Sequence, residues 1–177
     1  MKKQTLSIFG LLLLLSIGSR IQAQSPQQIS VTGHVSAEVV SAFSAVETSQ
    51  MNFGRFFPGP YGGQILLSPQ GTISVIGSVV SDGGIHNAAS FSITGNTNSA
   101  FSINLPKTSV ILTNTTGNAK TMHISNWQSI QSRGSGGGRM QDGYQIVYVG
   151  ATLEVGTLND NPVGMYTGSY AITFDFN

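Results

Sequence analysis

The sequence has no cysteine and few charged residues. Without cysteine, the chain cannot form a disulfide, a thiol nucleophile, a cysteine-ligated metal site or a lipid anchor on an N-terminal cysteine. Charged residues make up 8% of the chain, against about 25% in an ordinary soluble domain. Ser, Thr, Asn and 22 glycines supply much of the polar remainder. This composition is unlike a helical protein and favours strands whose outer face is polar rather than charged.

Clustered basic residues are also lacking. Lys2, Lys3 and Arg20 lie in the N-terminal leader, and their removal leaves five basic against seven acidic residues, a net charge of −2. The five are scattered along the chain: Arg55, Lys107, Lys120, Arg133 and Arg139. Binding to phosphates needs Lys and Arg side chains that are close together. We therefore expect no nucleic-acid partner.

The leader has the three-part order of a secretory signal peptide. Basic Lys2 and Lys3 precede an apolar run over residues 6–17, and Ala23 supplies a small residue at the cleavage position. The run is about 12 residues long, whereas a membrane span needs about 20, so an uncleaved anchor is the less favoured alternative. We predict a signal peptide over residues 1–23, a single domain over 24–177 and no transmembrane segment after cleavage. The mature protein would be secreted to the periplasm, the outer surface or the medium.

Alternation with a period of two predicts an all-β domain. It is clearest over residues 166–176, where even positions are apolar or aromatic, apart from Gly168, and odd positions are small or polar. Further strands are predicted over residues 29–40, 64–67, 72–76, 90–94, 100–105, 110–112, 122–124 and 144–154. Turn-forming Gly, Asn, Asp and Pro separate these segments. Their number and spacing favour an antiparallel β-sandwich over a barrel.

The acidic residues show no catalytic spacing. Asp82, Asp142 and Asp160 lie beside Gly or Asn, where Asp commonly forms turns. A glycosidase needs two carboxylates about 5–10 Å apart, and no sequence feature pairs any two here. We interpret these residues as turn residues rather than catalytic ones.

The histidines and the Gly-rich segment also lack the spacing of catalytic or metal-binding motifs. His34, His86 and His123 lack the short spacing of zinc-binding motifs. The Gly-rich segment 134–138 matches neither a nucleophile elbow nor a phosphate-binding loop. We therefore predict no catalytic residue, no cofactor and no metal, and a protein that is not an enzyme.

Aromatic residues leave two interpretations open. Phe53, Phe56, Phe57 and Tyr61 form a local cluster, which we attribute to core packing, with Phe53 and Phe57 inside and Phe56 and Tyr61 near the Pro-Gly turns. The alternative is a ligand platform.

A sugar-binding surface would need rings exposed side by side. The candidates for such a ligand-binding row are Trp127, the only tryptophan, with Tyr144 or Tyr148. This hypothesis competes with a structural role.

Several segments follow one another in a distinctive order: residues 51–54 (MNFG), 90–95 (SFSITG), 101–106 (FSINLP), 149–156 (VGATLEVG) and 164–170 (GMYTGSY). Together they resemble the secreted bacterial domain of unknown function 4402. The resemblance covers residues 30–177, and it implies no catalytic residues, because the family has no assigned activity.

Two features support a more distant likeness: the strand ending in Asn52-Phe53-Gly54 and the terminal Gly-x-Tyr-x-Gly-x-Tyr pattern. In these features the chain resembles pilin-type subunits of the spore-coat-U and archaic chaperone–usher kind. Such a likeness implies an Ig-like sandwich completed by a strand from a neighbouring subunit. This chain lacks the cysteine pair that many such subunits carry, and its extension before Ile29 is short for a separate donor strand.

Two functions follow as hypotheses. The first is an exported structural or adhesive surface protein, a pilus-like subunit that assembles with itself, or with other surface proteins, by strand addition. The second is a secreted carbohydrate- or ligand-binding module without catalysis.

Overall fold

The computed structural model describes residues 27–39, 43–117, 119–132 and 138–177. The chain divides into two units, residues 1–38 and 39–177. The predicted signal peptide over residues 1–23 and most of the Gly-rich segment 134–138 lie outside the described residues.

The described part of the first unit, residues 27–38, contains no strand, and every residue in it is exposed. Residue 39, which begins the second unit, has the same character. The strand predicted over residues 29–40 is therefore wrong for 29–39, and residue 40 lies outside the described part. The physical reason is that alternating apolar and polar residues define the two faces of a possible strand, but a strand also needs a neighbouring strand for its backbone hydrogen bonds. No pairing among the described residues involves this segment.

The second unit is built of strands. Its described residues form fifteen: β1 Ser44–Ser49, β2 Asn52–Phe53, β3 Phe56–Phe57, β4 Gly63–Leu67, β5 Ile73–Gly77, β6 Val80–Ser81, β7 His86–Asn87, β8 Ala89–Thr94, β9 Ala100–Asn104, β10 Val110–Asn114, β11 Thr121–Gln131, β12 Gly138–Arg139, β13 Tyr144–Val155, β14 Tyr166–Thr167 and β15 Thr173–Phe176. The described residues contain no helix. Accordingly, this part of the chain offers no helix with the length and apolar character needed to cross a bilayer.

Two main sheets and two short ladders organise these strands, and every pairing is antiparallel. The large sheet has the order β1-β8-β13-β11-β10-β14, and β4 joins it by pairing with both β13 and β5. The small sheet has the order β12-β9-β15, and the two ladders are β2–β7 and β3–β6. The prediction of an all-β antiparallel fold is confirmed.

The long strand β13 is the centre of the large sheet. One side pairs with β11, whereas the other side pairs first with β8 over residues 144–149 and then with β4 over residues 151–155. Gly150 lies at the change of partner. A Cβ atom there would be 2.2 Å from the carbonyl oxygen of Leu67, so glycine permits the close approach of β4 and the turn after it.

Alternate residues of β13 pass through two hydrophobic cores. In the first core, Leu153 and Val155 pack with residues of β4 and β11, such as Ile65. In the second core, Val147 and Val149 pack with residues of β8 and of the small sheet. The small sheet therefore covers one end of the large sheet, and the two layers form a β-sandwich-like arrangement.

The predicted terminal strand keeps its alternation but divides between two sheets. Even positions from 166 to 176 are half-buried and odd positions are exposed, apart from the exposed Gly168. However, β14 pairs with β10 in the large sheet, β15 pairs with β9 in the small sheet, and residues 168–172 belong to no strand. The alternation correctly predicted the inward face and missed the change of sheet.

Two other predictions need correction. Phe57 is 58% exposed, whereas Phe56 packs against the first core beside the buried Phe53. Neighbouring residues of a strand point to opposite faces, so only one of the two phenylalanines of β3 can face the core. That residue is Phe56 rather than the predicted Phe57. The short strand predicted over residues 122–124 is part of the much longer β11.

Candidate functional site

The three aromatic candidates do not share a surface. Trp127 is half-buried and packs against both cores. Tyr144 and Tyr148 occupy even positions of β13, on the face opposite the buried Val147 and Val149. Since Trp127 points inward and the two tyrosines point outward, the described structure does not bring these rings into one row.

A β-bulge explains the inward position of Trp127. The register of β11 against β13 shifts between Ser125 and Gln128. Asn126 in the bulge has a φ of 51°, a left-handed conformation that asparagine tolerates better than most residues. A bulge inserts one residue and redirects a side chain, and here it sends the indole between the layers.

Inside the sandwich, Trp127 meets Tyr170 of the terminal segment. Their ring centroids are 4.7 Å apart with an interplanar angle of 41°. The Trp127 Nε1 and the Tyr170 hydroxyl are both buried, and neither has a hydrogen-bond partner among the described residues. Burial raises the pKa of Tyr170 to about 12, and the carboxylate of Glu47 on β1 contributes to the rise. Buried polar groups are nearly always paired, so polar pairing is incomplete at this place.

Beside this pair lie two open sheet edges. We call residues 168–176 the terminal edge. Within the described chain, its strand β15 pairs only with β9, residues 168–172 pair with no strand, and β1 pairs only with β8. Both edges therefore present backbone N–H and C=O groups without a sheet partner.

β1 and the terminal edge run past each other in opposite directions. The rings of Phe43, just before β1, and Phe176 stack with centroids 4.0 Å apart. Further along, Glu47 acts electrostatically on Tyr170. As the chain advances from 43 to 47, the neighbouring position on the terminal edge moves back from 176 to 170. The two edges are thus antiparallel neighbours that no backbone pairing joins.

The polar groups on the outside form a shallow groove rather than an enclosed site. His123 and Glu154 are direct cross-strand partners, and the Ser125 hydroxyl donates to Glu154 Oε1 at 3.0 Å. Asp160 borders the same groove of about 320 Å³. The hydroxyl of Thr157 donates to the Asp160 carboxylate at 2.7 Å and lowers its pKa. These bonds close a turn, as the sequence predicted for Asp160.

The remaining titratable candidates lie in different parts of the chain. His34 lies in the exposed N-terminal part, and His86 lies on the exposed side of β7. Asp142 has a φ of 53° in the turn before β13, consistent with the predicted turn role. Within the described ranges, no group of three or more His, Asp or Glu residues is placed to hold a metal ion.

The two facing edges were not predictable from the sequence. The alternation of residues 166–176 did predict that Tyr170 and Phe176 point inward. Their neighbours Phe43 and Glu47 are more than a hundred residues away in the chain. No local pattern encodes a contact of that separation, and the predicted strand over residues 29–40 placed the first strand too early.

Comparisons with known proteins give a family and nothing narrower. No curated protein matches the chain, and no solved structure matches it. The model of one family, described as Domain of unknown function (DUF4402), matches residues 43–176. This range holds all fifteen described strands, both open edges and both cores. The chain therefore belongs to the DUF4402 family.

Proposed function

We propose that this protein is an exported structural subunit of the cell surface that assembles with other copies of itself by adding a strand to an open sheet edge. The observation that supports it is the pair of edges formed by β1 and the terminal edge. Strand addition supplies affinity through main-chain hydrogen bonds, and both edges carry backbone N–H and C=O groups that have no sheet partner in the described chain.

The chemistry of the edges supports the same proposal. Natural proteins protect exposed edge strands with charged residues, proline or short length. The terminal edge carries one charged residue, Asp175, and no proline, and β1 carries only Glu47. Half-buried Ile172, Phe174 and Phe176 line the inner side of the terminal edge. An edge with so few charged residues and no proline is suited to pairing with another chain.

The native mass of the exported protein tests the proposal. The full chain, with its leader, is expressed in a Gram-negative host, recovered without denaturant and measured by size exclusion with light scattering. We expect oligomers or fibres that dissociate only on denaturation, recovered with the surface fraction. A protein that is monomeric at every concentration and stays in the periplasm would refute the proposal.

A further inference from the structure

The segment over residues 29–39, which we call the N-terminal segment, has the pattern of a strand but no partner in the described structure. Its odd positions carry Ile29, Val31, Val35 and Val39, which are 84, 88, 98 and 98% exposed. Gly33 and Ala37 complete this face, and the even positions are polar. Exposed aliphatic side chains along one face are unfavourable in water, and burying each one would contribute favourably. Such a face is suited to covering an apolar surface.

The terminal edge offers a surface of matching length and pattern. It has nine residues, and the N-terminal segment has eleven, or about 30 and 36 Å at about 3.3 Å per residue of extended chain. Tyr170, Ile172, Phe174 and Phe176 point to the inside of the sandwich. An added strand would place its apolar face in the same direction and its polar face outward. A shift of the register by one residue would turn the apolar face outward and the polar face inward. The odd residues of the added strand must therefore be the ones that face inward.

The direction of the strands identifies which copy provides the segment. Every pairing in the described sheets is antiparallel, so we take the added strand as antiparallel to the terminal edge. Since β1 is itself antiparallel to the terminal edge, the added strand would run parallel to β1. Only residues 40–43 connect the N-terminal segment to β1 of its own chain, whereas parallel neighbours need a crossover of a dozen residues or more. The segment must therefore come from another molecule.

We infer that the N-terminal segment of one copy pairs with the terminal edge of a second copy, with its odd residues packed inward against Tyr170, Ile172 and Phe174. This inference rests on the proposed function and names the strand that is added. The contact joins two different surfaces of the same protein. Such head-to-tail contacts generate closed rings or open filaments, because each copy donates one segment and accepts one.

Paired substitutions on the two faces of the segment test this inference. Val35→Asp places a carboxylate on the inward face, and Ser36→Asp places the same charge on the outward face. We expect Val35→Asp to weaken association at least about 10-fold, because a carboxylate cannot replace a buried valine. Ser36→Asp should change it less than about threefold. Both variants should keep the wild-type circular dichroism spectrum, because residues 29–39 belong to no described strand.

Cross-linking then identifies the acceptor. The chain has no cysteine, so single cysteines can be introduced as Ser36→Cys in one preparation and Thr173→Cys in another. Thr173 is an exposed residue of β15, on the face that the even positions of the segment would share. After the two variants are mixed, a short thiol cross-linker should give a covalent dimer with one chain of each kind. The double variant should give a ladder of covalent multimers.

The outcomes separate the two proposals. A monomeric wild-type protein would overturn the proposed function and this inference together. Oligomers that Val35→Asp leaves intact would overturn only the inference. A cross-link within one chain of the double variant would also overturn it, because the segment would then serve its own molecule. Equal effects of Val35→Asp and Ser36→Asp would contradict the assignment of the odd residues to the inward face.

Discussion

Replacing Ile65 by alanine tests the inward face of the hairpin β4–β5. Ile65 is 1% exposed and belongs to the first core. Ile65→Ala removes three carbon atoms, worth about 2.4 kcal/mol at about 0.8 kcal/mol per buried methylene. The cavity left behind adds to this loss, and measured costs of such changes are about 2–5 kcal/mol. We therefore expect the free energy of unfolding to fall by about 3–4 kcal/mol, a large part of the stability of a typical domain.

Ile76 is the matched control. It lies on the neighbouring strand β5, opposite Gln64, and is 55% exposed. Ile76→Ala removes the same atoms but should cost less than about 1 kcal/mol, because half of the side chain already contacts water. Urea unfolding followed by the fluorescence of the single tryptophan measures both losses. Repetition at several protein concentrations separates folding from association. Equal losses at the two positions would refute the assigned facing of the hairpin.

Three further predictions concern the interior polar groups and one glycine. Because the pKa of Tyr170 is raised to about 12, its contribution to stability is complete below about pH 10 and is lost as the pH rises towards 12. In thermal melts, Tyr170→Phe should reduce the loss of stability between about pH 10 and 12. The substitution should not destabilise the protein at neutral pH, since the hydroxyl has no partner among the described residues. A large loss of stability at pH 7 would contradict this. The buried Asn161 donates to the carbonyl oxygen of Thr121 at 2.9 Å, so Asn161→Ala should cost about 1–3 kcal/mol in urea unfolding, and Asn161→Asp should not restore the loss, because a carboxylate cannot donate. Gly150→Ala would bring a Cβ to 2.2 Å from the backbone oxygen of Leu67 and should lower the free energy of unfolding by about 2 kcal/mol or more; an unchanged melting temperature would show that the turn after β4 yields easily.

The alternation in the sequence correctly predicted the central strand of the large sheet and the inward face of the last run. The predicted strand over residues 144–154 is almost the whole of β13, and its odd positions are buried. Burial on one face imposes alternation directly, so the pattern is readable from the residues alone. The same pattern over residues 166–176 gave the correct inward face.

Partners and irregularities were not predictable in this way. Residues 29–39 alternate as clearly as any strand, yet alternation does not say which edge, or which molecule, supplies the hydrogen bonds. The bulge at Asn126 interrupts the period of two within β11. The predicted strand therefore ends at residue 124, and Trp127 falls outside it, among the candidates for a surface row of rings. The stacking of Phe43 on Phe176 joins distant parts of the chain, which no local window contains.

One consequence of β13 concerns how the domain opens. This strand contributes side chains to both cores and hydrogen bonds to three other strands. Neither core can lose its packing without disturbing the backbone that the other core requires. The amide protons of residues 147–153 should therefore exchange with deuterium only through complete unfolding of the domain. A substitution that loosens the packing of one core should also weaken the packing of the other.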